Sequence, residues 1–274
     1  MTLAVAHEPT SPTLASDALP AVALPTRPRT IQFAEPTDRL VAPVTAAAPS
    51  PFRGASWRAG QRRYEVVADL LPAADESQTG DFCVVDSSDD ALTVVLGDVV
   101  GHGPEAAVQA RELERAGEAA LAESSDPLAL LRALNAELWP DHTASAVVLQ
   151  VIADSREARW ASAGHPAPLF LDSGLELSGQ GHGALLGALP EPNAPVNRVR
   201  LAPNQGLLLF TDGLLDARPG RDERFGSERL SHFLRELRGA SASVTVEELA
   251  RCVRHFCAHR LCDDTAVVAL RRMA

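Results

Sequence analysis

Four positions along the chain share one local grammar in which acidic side chains end or open apolar strands. Asp81 opens a β-rich run directly after Gly80. Asp98 closes the apolar run ALTVVLGDVV and leads into the glycine-rich GHG. Asp212 closes LLLF within TDG, and the pair Asp263–Asp264 stands immediately before TAVVALRR. A buried strand that runs into Asp and then Gly delivers a carboxylate to the rim of a sheet. Read singly, each is as well explained as a turn or cap residue, because Asp and Gly punctuate strands everywhere. Four such positions in one domain are harder to dismiss. Carboxylates converging without a nearby cation repel one another, and burial of an unpaired one is costly. Hard divalent cations resolve both problems, and all-oxygen ligation selects Mg²⁺ or Mn²⁺. From these residues alone the chemistry is that of an acidic metal site.

The elements that must hold these residues are legible in outline. YEVVADL (64–70), DFCVVD (81–86) and ALTVVLGDVV (91–100) read as strands, the last almost continuously apolar and so covered on both faces. Helices are expected over 104–122, where Pro104 opens the first turn, and over 126–139, where Asp126 caps and Pro127 follows. Segments 145–154 and 157–164 read as a hairpin, followed by short strands at 167–174, 196–202 and 206–213. Two further helices (225–238 and 244–260) and a closing strand (265–272) complete the order. Helices grouped between runs of strands predict stacked α and β layers rather than a doubly wound parallel sheet.

Nine of the 20 prolines fall in residues 1–51, a density that breaks helices and ladders alike. The expected organisation is a disordered Pro/Ala-rich tail over 1–60 and one domain over 61–274. The 274 residues carry 25 Arg, no Lys and 36 acidic residues, for a net charge of −11. That balance excludes a sequence-independent nucleic-acid binder and an anionic membrane as partner, since both need clustered cations. No apolar run reaches the roughly 18 residues of a membrane span. Neither a signal peptide nor a disulfide framework is read, so the four Cys are taken as reduced thiols and the setting as cytoplasmic.

The motifs TGDF (79–82), GDVVGHG (97–103), ASAGHPAPLFL (161–171), ALLGAL (184–189), LLLFTDGLLDAR (207–218), FGSERL (225–230) and CDDTAVVAL (262–270) occur in this order. Together they resemble the SpoIIE-type branch of the metal-dependent serine/threonine phosphatases, the PPM or protein phosphatase 2C-like family. The resemblance covers residues 62–272. It implies an α+β fold, a four-layer α-β-β-α sandwich of two antiparallel sheets flanked by helix pairs. It also implies two Mn²⁺ or Mg²⁺ ions at one edge. Asp98 matches the bridging ligand, Val99 the residue that offers its backbone carbonyl, and Asp81 the acid of the first motif. Asp212 matches the acid of TDG and Asp263 the first acid of the final motif, with Asp264 beside it. The implied reaction is attack of a metal-activated water on a phosphoserine or phosphothreonine monoester, with no phosphoenzyme. The implied substrate is a small regulatory phosphoprotein, for example a STAS-type anti-sigma-factor antagonist in a partner-switching pathway.

Two departures are visible. Thr79 stands where the family usually has Gly, and Val100 where the eukaryotic branch carries a His assigned as general acid; His102, two positions on, is the candidate substitute. His165 within AGHP is read as a structural turn residue. Other readings remain open: a non-catalytic metal-binding regulatory module on the same fold, or a phosphatase of a small metabolite. Cys252, His255, Cys257, His259 and Cys262 invite a zinc reading, but paired Cys-x₂-Cys spacing is missing and the residues suit a helix.

Overall fold

The computed structural model describes residues 29–30, 53–59, 62–71, 73, 79–220, 223–258, 261 and 263–273, with backbone alone for 29–30 and 53–58. Strands β1 (Arg29–Thr30), β2 (Arg53–Ala59), β3 (Arg62–Leu71), β4 (Asp81–Ser87) and β5 (Ala91–Val99) come first. Helices α1 (Pro104–Leu121) and α2 (Pro127–Ala136) follow, then β6 (Ala144–Ile152), β7 (Glu157–Ala163), β8 (Leu169–Phe170), β9 (Asn197–Arg200) and β10 (Gly206–Phe210). A one-turn helix α3 (Gly213–Asp216), helices α4 (Gly226–Glu236) and α5 (Ala242–Phe256), and strand β11 (Thr265–Arg272) close the order.

One sheet runs β1-β4-β5-β6-β7-β9 and the other β2-β3-β11-β10-β8, and every pairing is antiparallel. Alternation within each strand sorts the side chains. Val94 and Leu96 of β5 point between the sheets, where they meet Leu149, Trp160, Leu209 and Val268. Val95 points the other way, into a layer with Phe82, Leu113, Leu130 and Leu134 of β4, α1 and α2. On the second sheet Val67, Leu208 and Phe210 face Leu230, Leu234, Leu249 and Val253 of α4 and α5. Both faces of the central strands are therefore covered, which is why they read as continuous apolar runs. The result is the expected α-β-β-α sandwich.

The helix starts show what was local and what was not. Asp126 caps α2 by accepting from the amides of Leu128 and Ala129 at 3.1 and 3.0 Å. α5 begins two residues before the expected 244. Ser241 accepts from Val244 N–H, and Glu65 of β3 accepts from Ala242 and Ser243 N–H at 2.9 and 3.1 Å. That carboxylate comes from another element, so no local pattern announces it. Residues 53–59, assigned to the tail by composition, pair with β3 as an edge strand, and Arg29–Thr30 pairs with Val84–Val85. The edges of β3 and β4 supply the partner that the tail composition does not reveal. The remainder of 1–52 lies outside the described residues. Among the described residues no helix is long and apolar enough to cross a membrane.

Candidate active site

The antiparallel register of β4 and β5 sets Asp81 directly opposite Asp98. Both side chains lie on the inter-sheet face, since they share the parity of Cys83 and Val94. Asp212 follows β10 and Asp263–Asp264 precede β11, its neighbour. One edge of the sandwich thus gathers all five carboxylates from both sheets. Asp81 and Asp264 are buried, Asp98 is partly buried, and Asp212 and Asp263 are exposed.

The hydrogen bonds divide the five. Asp264 is fully engaged, one oxygen accepting Ala73 N–H at 2.9 Å and the other Gly80 N–H at 3.2 Å. Asp263 accepts the Asp264 N–H at 2.9 Å. Thr211 Oγ1 donates to Asp81 at 3.1 Å and accepts Ala266 N–H at 2.8 Å, which joins β10, β11 and β4 at one hydroxyl. Asp98 accepts a hydrogen bond from Asp81. Burial pushes Asp81 well above the ordinary carboxylate range, and Asp98, Asp264 and Asp263 push it further, against the Thr211 hydrogen bond. Burial likewise raises Asp98 to about 7, with Asp212, Asp263 and Asp264 adding to the shift and the bond from Asp81 opposing it. Among the described residues, the charges acting on this pair are carboxylates.

The chain around them is shaped for approach. A Cβ on Gly80 would stand 3.3 Å from both Asp98 Oδ1 and the Val99 carbonyl oxygen, so two oxygens flank one small space. Gly101 and Gly103 take φ of +116° and +87°, which turn the chain from β5 into α1 without a side-chain clash. His102 stands exposed between them. At Gly213 a Cβ would collide with the Asp264 carbonyl oxygen, so the turn after Asp212 packs hard against the start of β11.

The donor set suits a hard cation: carboxylate oxygens, one backbone carbonyl, and mutual repulsion that a cation would relieve. Asp81, Asp98, Asp212, Asp263 and the Val99 carbonyl could hold it. Asp264, with one backbone amide on each oxygen, positions its neighbours and keeps a lone pair on each oxygen for a cation. No three carboxylate, imidazole or thiol side chains among the described residues form a ready-made ligand group. Mg²⁺ and Mn²⁺ keep several waters, so carboxylates that reach the ion through a water suffice.

Three features lie beyond the sequence-based expectation. Thr211 was visible only as the residue before Asp212. Ser145 is the register partner of Asp98, and its hydroxyl lies 2.7 Å from Nδ1 of buried His165. Burial lowers that imidazole to about 3, so it is neutral. The Ser162 hydroxyl donates to the His165 carbonyl at 2.6 Å and accepts its N–H, the turn-fixing role read from AGHP. Among the described residues the zinc reading finds no set of three ligands: Cys257 is buried in the α4–α5 core, while Cys252 and His255 line an apolar groove with Phe225, Phe233 and Phe256. His259 and Cys262 lie outside the described residues. Cys83 is buried and its thiol is pushed up by burial, which disqualifies it as a nucleophile.

The profile of the Stage II sporulation protein E (SpoIIE) family matches residues 88–273. Among solved structures, the fold matches a Mycobacterium tuberculosis chain of RsbU and RsbW domains at TM-score 0.67 and 24% identity, over 80% of this chain and 62% of that one. It matches the SiaA-PP2C domain of Pseudomonas aeruginosa at 0.66 and 22%, over 74% and 85% of the two chains. RsbX in complex with magnesium matches at 0.61 and 16%, over 80% and 100%. The chain thus spans less than two thirds of the RsbU–RsbW chain, and at these identities the three structures speak for the fold. These neighbours include protein phosphatase 2C-type domains, and with a family profile covering most of its length the chain belongs to the SpoIIE family.

Proposed function

We propose that this chain is a metal-dependent protein serine/threonine phosphatase that hydrolyses a phosphoserine or phosphothreonine monoester. The observation that carries it is the Asp81–Asp98 pair, opposed in register, raised in pKa, and joined by the carboxylates of Asp212, Asp263 and Asp264. When bound, Mn²⁺ or Mg²⁺ supplies Lewis acidity toward phosphoryl oxygen and a water of lowered pKa. Asp98, Asp81, Asp212, Asp263 and the Val99 carbonyl would hold the two ions. Thr211 orients Asp81, and Asp264 fixes the Gly80 turn so that Asp81 meets Asp98. We assign His102 the delivery of a proton to the leaving seryl or threonyl oxygen, from its exposed position at the rim. The exposed setting of Asp212 and Asp263 suits a side chain carried on a protein surface. The substrate we propose is a small regulatory phosphoprotein in a cytoplasmic partner-switching pathway, of which a STAS-type anti-sigma-factor antagonist is the leading example. An RsbU–RsbW chain among the structural neighbours supports that class.

The test is hydrolysis of p-nitrophenyl phosphate and of a phosphoserine protein, with and without Mn²⁺. Activity should vanish with chelator and fall about 100-fold or more in Asp98→Asn and Asp212→Ala. Chelator-resistant turnover, or full activity in both variants, overturns the proposal.

A further inference from the structure

The end of the sandwich remote from the aspartates carries a cluster of opposite sign. β3 begins there at Arg62, β11 ends there at Arg272, and the β6–β7 turn adds Arg156. The length of β11 from Thr265 to Arg272 sets this end about 25 Å from the Asp263–Asp264 edge, at ~3.3 Å per strand residue. Arg62 and Arg272 share the inter-sheet parity of Tyr64, so they lie at the mouth between the two sheets. Each reaches across to the other sheet. Arg62 Nη2 donates to the Asp154 carbonyl at 3.1 Å, and Arg272 Nη1 donates to the Leu201 carbonyl at 2.9 Å.

Each bridge across the mouth uses one guanidinium nitrogen. Arg272 is only 9% exposed, yet its Nε has no hydrogen-bond partner, and neither does the buried Nη1 of Arg62. The groups acting on Arg272 are Arg62 and Arg156, both cations, and the phenol of Tyr64. Asp154 is the carboxylate near Tyr64 on this turn, and it has interactions of its own. Among the described residues three guanidiniums face one carboxylate here, in a protein whose net charge is −11. A purely structural plug has no use for that excess. Buried N–H donors on neighbouring cations are the standing requirements of an oxyanion, and the guanidinium fork matches phosphate and carboxylate geometry.

We propose that Arg62, Arg156 and Arg272 form an oxyanion-binding site at the mouth of the sandwich, which takes a phosphate or carboxylate group of an anionic ligand. Arg272 and Arg62 supply the buried donors, and exposed Arg156 closes over the bound group. The site is independent of the aspartate edge and does not rest on the phosphatase reading.

The test uses the full chain in chelator, where the aspartate edge repels anions. Inorganic phosphate is titrated by calorimetry and thermal shift against a chloride control of equal ionic strength. Saturable binding is expected, weakened tenfold or more in Arg62→Gln and Arg156→Gln. Arg156 is exposed, so its variant folds and keeps the test open even where Arg62→Gln does not. A glutamate-rich peptide run in parallel separates the sources. Tighter binding of the peptide assigns the site to an acidic protein segment, and tighter binding of phosphate assigns it to a free anion. Absence of saturable binding of either probe, or equal binding by wild type and Arg156→Gln, overturns the proposal.

Discussion

Asp98→Asn should stabilise the metal-free protein while abolishing its activity. In the metal-free fold burial and the carboxylates of Asp212, Asp263 and Asp264 raise Asp98 from 3.8 to about 7. The folded state therefore holds a proton on Asp98 that the unfolded chain releases near pH 4. Between those values the native state binds more protons than the unfolded state, so stability falls as pH rises through the window. The shift is 7 − 3.8 = 3.2 pH units, and at 1.36 kcal/mol per unit the loss is complete at about 4 kcal/mol above pH 7. Asparagine is neutral at every pH and can still hydrogen-bond Asp81. The variant escapes the loss and should be about 4 kcal/mol more stable than wild type at pH 8, with the advantage fading toward pH 4.

The assay is urea unfolding in chelator from pH 4.5 to 8.5, followed by the same series with Mn²⁺. For a chain of this size, 4 kcal/mol corresponds to a Tm rise of roughly 10 °C. Above pH 7 wild type should regain stability with Mn²⁺, because the ion would answer the charge that Asp98 carries there. The variant should gain little, because its neutral amide offers no such charge. A variant less stable than wild type at pH 8, or an advantage independent of pH, refutes the electrostatic account of this edge.

Three further outcomes follow from the same geometry. Thr211→Val removes the donor to Asp81 and strands Ala266 N–H, so it should cost about 1–3 kcal/mol in urea unfolding and weaken Mn²⁺ affinity by calorimetry. Buried His165, held at about 3 against an ordinary 6.5, binds fewer protons folded than unfolded. Its contribution is lost as pH falls below 6.5, by about 2 kcal/mol at pH 5, and His165→Gln should flatten the acid limb of the stability profile. Gly213→Ala drives a methyl into the Asp264 carbonyl and should cost about 1–3 kcal/mol, read as a lowered Tm together with lost turnover.

The chemistry-bearing positions were legible because each obeys a local rule: an apolar strand, then Asp, then Gly or a turn. The layers were legible for a similar reason, since strands apolar throughout need cover on both faces. Long-range pairing was not legible. That Asp81 meets Asp98 follows from the β4–β5 register. That Asp264 serves the backbone rather than open space follows from two amides some 184 and 191 positions away. Ser145 carries no signal of its own until β6 sets it beside Asp98, and its link to His165 of AGHP is long-range as well. β2 was hidden because an edge strand can draw its order from a neighbour, and RGASWRA has no alternation to betray it. The Arg cluster is likewise invisible in a chain whose total charge is strongly negative.

Adjacent residues Asp263 and Asp264 show how the fold tolerates so acidic an edge. Two carboxylates in succession at a strand start would both face the same repulsion if both pointed into the site. The chain separates them. Asp264 turns inward, where two backbone amides answer its charge and bind the start of β11 to the turn before β4. Asp263 stays exposed, where water screens it. Thr211 repeats the device on the other side by joining Asp81 to the β11 backbone. Among the described residues the cluster is held by amides and a hydroxyl. Amide dipoles fix the positions of the carboxylates without adding a full positive charge, which keeps the edge both ordered and competent to bind Mn²⁺ or Mg²⁺.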